Sequence, residues 1–158
     1  MTSFEDVYAI EQLKYAYCRF LDTKDFASMC ALMTEDVTVT YGGGAIALTG
    51  RQAVQDYLSD AMGSPSMLTS HLVSHPEIEV GGDHATGRWA LQDVVVLDDH
   101  DMVIRGASLY EDRYVRVGGH WLIAHTGYKR LYEELGPRPE GTRTTASWFG
   151  TDGRSSLV

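Results

Sequence analysis

Four long runs rich in Val, Ile, Thr, Tyr and Trp fill the second half of the chain and restrict its fold more than any other feature. They cover residues 67–80, 84–97, 102–117 and 120–131. β-Branched and aromatic residues suit a pleated, half-buried surface. Gly81-Gly82-Asp83, Asp98-Asp99-His100-Asp101 and Gly118-Gly119 separate the runs and supply the turn chemistry of hairpins. Strands joined by such short turns pair antiparallel, so the second half reads as a meander. The strands are long, and the sheet is expected to curl strongly.

The first half has a different period. Val7, Ile10, Leu13, Tyr17 and Phe20/Leu21 recur at helical spacing, with Glu5 and Asp6 where a helix dipole favours anions. A short second helix fits 25–33, capped by Asp25, with Phe26, Met29, Cys30 and Met33 as its apolar stripe. Val37, Val39 and Tyr41 alternate with threonines as in a strand, and Gly42-Gly43-Gly44 breaks it. A third helix fits 51–62, with Ala53, Val54, Tyr57 and Leu58 on one side and Gly63-Ser64-Pro65 at its end. Helices first and a meander afterwards predict an α+β fold, the helices on one face of the sheet. The expected shape is a cone whose open mouth holds a small molecule. One domain over 1–135 is expected, followed by a tail over 136–158. The tail is rich in Gly, Thr, Ser and Arg and carries Trp148 and Phe149. It reads as a lid over the mouth, an interface segment or a partly disordered end.

A chain of 158 residues can bury a core without staples. Its formal net charge of -9 repels phosphate backbones, so no nucleic-acid partner is expected. No apolar run reaches the roughly 18 residues of a membrane span. Residues 1–6 lack the basic and apolar pattern of a signal peptide. The two cysteines, Cys18 and Cys30, read as reduced core thiols. Together these place the chain in the cytoplasm.

His71 is the first candidate for chemistry. Thr69, His71, Val73 and His75 share one face of an expected strand, and an imidazole on a pocket wall can take and return a proton near neutral pH. A satisfied structural histidine is the bland alternative. His71 and His75 make a poor metal pair, because four strand residues span roughly 13 Å. His84, His100 and His120 fall at turns and are expected in solvent, while His125 lies in the last strand. Asp22 ends the first helix as either a cap or a carboxylate that orients a histidine. Tyr17 is a core residue or a hydroxyl aimed at a substrate carbonyl. The two are five positions apart, about 140° of helix turn, so they meet only if Asp22 sits where the helix ends. Arg130 is either an inward cation for an oxyanion or carboxylate, or a surface partner of Glu133 or Glu134. No phosphate-binding glycine loop, CxxC or GxSxG occurs, which argues against nucleotide cofactors and covalent serine or cysteine catalysis.

Several stretches resemble the SnoaL-like branch of the nuclear-transport-factor-2-like superfamily, and within it the bile-acid 7α-dehydratases. They are Ile10-Glu11-Gln12-Leu13-Lys14, Tyr17 to Asp22, His75-Pro76-Glu77-Ile78, Ala85-Thr86-Gly87-Arg88-Trp89, and Thr126-Gly127-Tyr128-Lys129-Arg130-Leu131-Tyr132-Glu133-Glu134. The resemblance runs from about Ile10 to Glu134 and leaves out the tail. It implies catalytic roles for Tyr17, Asp22, His71 and Arg130. Scytalone dehydratases are more distantly similar around Tyr17, Asp22 and His71, with Trp89 where they carry a second histidine. The resemblance implies a cofactor-independent, metal-free dehydratase acting on a hydrophobic, steroid-like or polyketide-like hydroxy-enone, and a homotrimer or homodimer. A ketosteroid-type isomerase, a polyketide cyclase and a non-catalytic binding module share this fold and remain alternatives.

Overall fold

The computed structural model describes residues 3–151, Gly153, Ser156 and Leu157. The parts of the tail expectation that rest on Asp152, Arg154, Ser155 and Val158, and of the leader reading on Met1 and Thr2, lie outside the described residues.

Helix α1 spans Phe4–Asp22. Ser3 caps it by accepting from the Glu5 amide at 3.2 Å. Its buried face carries Ile10, Leu13, Tyr17, Cys18 and Leu21. After Thr23, Lys24 takes a left-handed φ of 58° and turns the chain. Asp25 then caps α2 (Phe26–Ala31), accepting from the Ser28 amide at 3.1 Å. Met33 does not belong to that helix but opens strand β1 (Met33–Tyr41). A short strand β2 (Ile46–Thr49), which the glycine run concealed, pairs back on β1 and leads into α3 (Arg51–Met62). The four long runs form β3 (Met67–Gly81), β4 (His84–Leu97), β5 (Met102–Val117) and β6 (His120–Pro137). Strand β6 continues six residues past the expected Leu131, because Tyr132 to Pro137 stay in register with β5.

The sheet corrects the expected cone. Its order is β2-β1-β6-β5-β4-β3, an open sheet of six strands with β2 and β3 as its edges. It is also mixed, since β1 lies parallel to β6, with Val39 opposite Thr126 and Thr40 opposite Gly127. The sheet therefore neither closes nor curls into a cone. The physical reason is that tight turns fix only the direction of neighbouring hairpin strands. They say nothing of curvature, which depends on bulges and on what packs against the sheet, or of where β1 inserts. Gly127 permits that insertion: a Cβ there would sit 2.2 Å from Thr40 Oγ1 and 2.9 Å from the Thr40 carbonyl oxygen.

The three helices belong to the face of the sheet that carries the core, where Val37, Val39, Trp89, Tyr110, Tyr114 and Ile123 are buried with the α1 stripe. Cys18 and Cys30 are free thiols in this core, and burial pushes each up to about 11. Beyond β6, the Arg138 amide donates to the Asp101 carbonyl at 2.9 Å. Arg138 and Thr144 both donate to Asp98 in the β4–β5 turn. Phe149 lies with its ring 5.5 Å from Lys24 Nζ. Among the described residues, no helix is long and apolar enough to cross a membrane.

Candidate active site

The last residue of α1 faces the first long strand. Asp22 sits where the helix ends, so its side chain is released from the helical rotation that separates it from Tyr17. Its Oδ1 accepts from His71 Nδ1 at 2.6 Å and from Thr69 Oγ1 at 2.8 Å. Its Oδ2 accepts from the His71 amide at 2.9 Å. Burial by itself would raise the Asp22 carboxyl, but the His71 and Thr69 donors outweigh it and hold the group below the usual carboxylate range. A carboxylate can only accept, so Nδ1 carries the proton and the neutral ring keeps Nε2 unprotonated. The expected strand face is preserved for Thr69, His71 and Val73, which are all partly buried. His75 leaves that face and is exposed. It has a left-handed φ of 50° at a register shift between Ser74 and Glu77.

His71 lines an apolar cavity of about 350 Å³ between the helices and the sheet. Leu21, Leu58, Met62, Leu91, Val95 and Ile104 supply much of its wall. Its other side is phenolic. Tyr17 is fully buried, and its hydroxyl lies 3.3 Å from that of Tyr41. Tyr110 meets the Tyr17 ring edge-on at 6.3 Å and the Tyr128 ring at 5.9 Å. Burial raises the Tyr17 hydroxyl well above its ordinary value, so it is a neutral donor at working pH.

Beneath this phenolic wall lies an ion pair that the sequence reading did not foresee. Lys14 Nζ is 2.8 Å from Asp112 Oδ2, and both side chains are fully buried. The ammonium lies 3.4 Å from the centre of the Tyr110 ring and 4.7 Å from that of Tyr17. Asp112 also accepts from Tyr114 at 2.7 Å, and Tyr114 accepts from Trp89 Nε1 at 3.0 Å. Trp89 is committed to this network and is absent from the cavity lining, where β4 contributes Leu91, Asp93, Val95 and Leu97.

Arg130 lines the cavity and also reaches Glu133. Its guanidinium engages Asp93 bidentately, Nη2 donating to Oδ2 at 3.0 Å and Nη1 to Oδ1. Nη1 also donates to Ser108 at 3.2 Å, and Nε lies 2.8 Å from Glu133. Gly106 makes room, because a Cβ there would stand 2.7 Å from Nη1. The missed residue is Asp93, opposite His71 in the β3–β4 register. Its signal was an acid sharing strand parity with Leu91 and Val95. His84, His100 and His120 are exposed at turns, and His125 is half-buried with Nδ1 2.8 Å from Thr38 Oγ1.

The cavity thus gathers Tyr17, His71 backed by Asp22, and Arg130 held by Asp93. Helices on one face of a mixed, six-stranded open sheet, with a cavity between the layers, define a protein of the nuclear-transport-factor-2-like class. The SnoaL-like domain matches residues 2–127, and the chain belongs to that family. A Novosphingobium aromaticivorans protein provisionally classed as a scytalone dehydratase has a similar structure. It is 24% identical, with a TM-score of 0.75 over 88% of this chain and 95% of its own. A hexachlorocyclohexane dehydrochlorinase from Novosphingobium barchaimii is 17% identical, with a TM-score of 0.76 over 90% of this chain and 96% of its own. A Mycobacterium tuberculosis protein of unknown function is 26% identical, with a TM-score of 0.71 over 81% of this chain and 77% of its own.

Proposed function

We propose that the protein is a cofactor-independent acid–base lyase that removes water from a hydrophobic, ring-bearing hydroxy-enone. The Asp22–His71 pair on the wall of an apolar cavity carries this reading. A conjugated carbonyl acidifies the γ-hydrogen. His71 Nε2 takes that proton, and the electron pair moves through the double bond to the carbonyl oxygen. Asp22 keeps Nδ1 protonated and balances the imidazolium that forms. Tyr17, with Tyr41 beside it, donates to the enolate oxygen. The enolate then collapses and expels the hydroxyl group, which leaves as water with the proton from His71. Arg130 holds the polar wall through Asp93. Acid–base catalysis of this kind supplies about 10²–10⁴-fold, and positioning in the apolar cavity supplies the rest. The likeness to bile-acid dehydratases favours a steroid-like ring system. A similar fold serves a hexachlorocyclohexane dehydrochlorinase, and that likeness supports an elimination.

The exposed Leu72, Leu131, Tyr132 and Leu135 on the long strands favour a homo-oligomer, which sedimentation would reveal as a mass above that of one chain. The tail, held at Asp98 and reaching Lys24, favours a cover for the cavity mouth.

The test is an ultraviolet spectrum of the protein with a 7-hydroxylated 3-oxo-4-ene steroid, beside His71→Ala. Dehydration extends the conjugation and adds a long-wavelength band with wild type that the variant lacks. Full activity of His71→Ala would overturn the mechanism. Movement of the double bond without loss of water would make the protein an isomerase.

A further inference from the structure

The charges around the cavity decide what kind of ligand it admits. Among the described lining residues, Arg130 is the one permanent cation. It is already countered twice, by the buried Asp93 in a bidentate pair and by Glu133 at 2.8 Å. Asp22 adds a third carboxylate behind His71. The nearby ammonium of Lys14 lies outside the cavity lining and is neutralised by Asp112 at 2.8 Å. Towards the mouth, Arg138 is paired with Asp98 and Asp101, and Lys24 donates to the Met62 carbonyl. A carboxylate or phosphate entering this space would lose its hydration, and among the described lining residues it would meet no cation that lacks a carboxylate partner. The phenols, in contrast, offer neutral hydroxyl donors and ring faces.

We infer that the site selects uncharged ligands, planar rings with a carbonyl or hydroxyl oxygen, and rejects counterparts that carry a carboxylate into the cavity. The Arg130–Asp93–Glu133 cluster is the selectivity device: Asp93 and Glu133 occupy the guanidinium that would otherwise bind an acid. This rests on the cavity being the substrate site, and it narrows the substrate to a molecule whose cavity-bound part is neutral.

Two probes of one ring system separate charge from shape: 2-acetylnaphthalene, a neutral ketone, and 2-naphthoate. Their binding to wild-type protein is followed at neutral pH by quenching of tyrosine and tryptophan fluorescence and by thermal shift. The ketone is expected to bind at least about tenfold more tightly, a difference of about 1.4 kcal/mol. Asp93→Asn releases Arg130 and is expected to narrow or reverse the ratio by raising naphthoate affinity. Glu133→Gln, a partly exposed position, is expected to move it the same way and keeps the test valid if Asp93→Asn folds poorly. Naphthoate binding as tight as the ketone in wild type, absence of ketone binding, or a ratio unmoved in the folded variants would overturn the inference. No turnover is read, so an inert His71 would leave this result standing, and a reversed charge preference would leave the elimination chemistry standing.

Discussion

Asp22→Asn tests how far His71 depends on its carboxylate. Asp22 accepts three hydrogen bonds through two oxygens: His71 Nδ1 at 2.6 Å, Thr69 Oγ1 at 2.8 Å and the His71 amide at 2.9 Å. Asparagine has the same shape but one acceptor oxygen and an amide nitrogen that only donates. If its oxygen takes the backbone amide, its NH₂ faces Nδ1 and forces the proton to Nε2, the nitrogen left to act as base. If its oxygen takes Nδ1, the backbone amide meets a donor instead. Losing one charge-assisted hydrogen bond costs about 1.5–3 kcal/mol. For a domain of this size that lowers Tm by roughly 3–12 °C. The activity loss should reach about 10²–10⁴-fold, the usual range for acid–base catalysis. Long-range ¹⁵N correlation spectra read the tautomer directly, without substrate, and scanning calorimetry reads Tm. Acid unfolding reports the same carboxylate. The folded pKa of Asp22 is depressed, so the unfolded chain protonates first as pH falls. The contribution is complete above the ordinary carboxyl value of 3.8 and is lost as pH falls through the folded value. Asp22→Asn should lose that component of the acid transition. An unchanged His71 tautomer together with an unchanged Tm would refute the reasoning.

Three further outcomes follow from buried contacts. Lys14→Met alone leaves Asp112 charged and unpaired, and should cost about 3–5 kcal/mol in urea unfolding, whereas Lys14→Met with Asp112→Asn should recover most of it; a double variant no better than the single would show that the pair is not the source. Gly127→Ala drives a Cβ onto Thr40, and should cost about 1–3 kcal/mol by overpacking while weakening amide-exchange protection in β1. Burial, then Arg113, lowers His125 below its usual value of 6.5. The unfolded chain therefore takes up that proton first, so this contribution is full above about pH 6.5 and is lost as pH falls through the lowered value. His125→Gln should flatten the Tm–pH slope between pH 7 and 5, and an unchanged slope would exclude the residue.

Much of this protein is written locally. The 3.6-residue stripe from Ile10 to Leu21, the Asp25 cap, the limits of α3 and the turns that separate β3 to β6 depend on contacts within a few residues, so the chain itself displays them. Asp22 at a helix end and His71 on an inward strand face were visible in the same way. Their union was not. It joins residues 49 apart in sequence, and only the packing of α1 against β3 creates it. The bulge that expels His75, the commitment of Trp89 to Tyr114, and the pairing of Arg130 with Asp93 across Gly106 are likewise long-range events. The open, mixed sheet was hidden for the same reason. Turn residues fix which way the next strand runs, but the place of β1 beside β6 is chosen by a glycine and a threonine far apart in the chain, through a contact that exists only once both are folded.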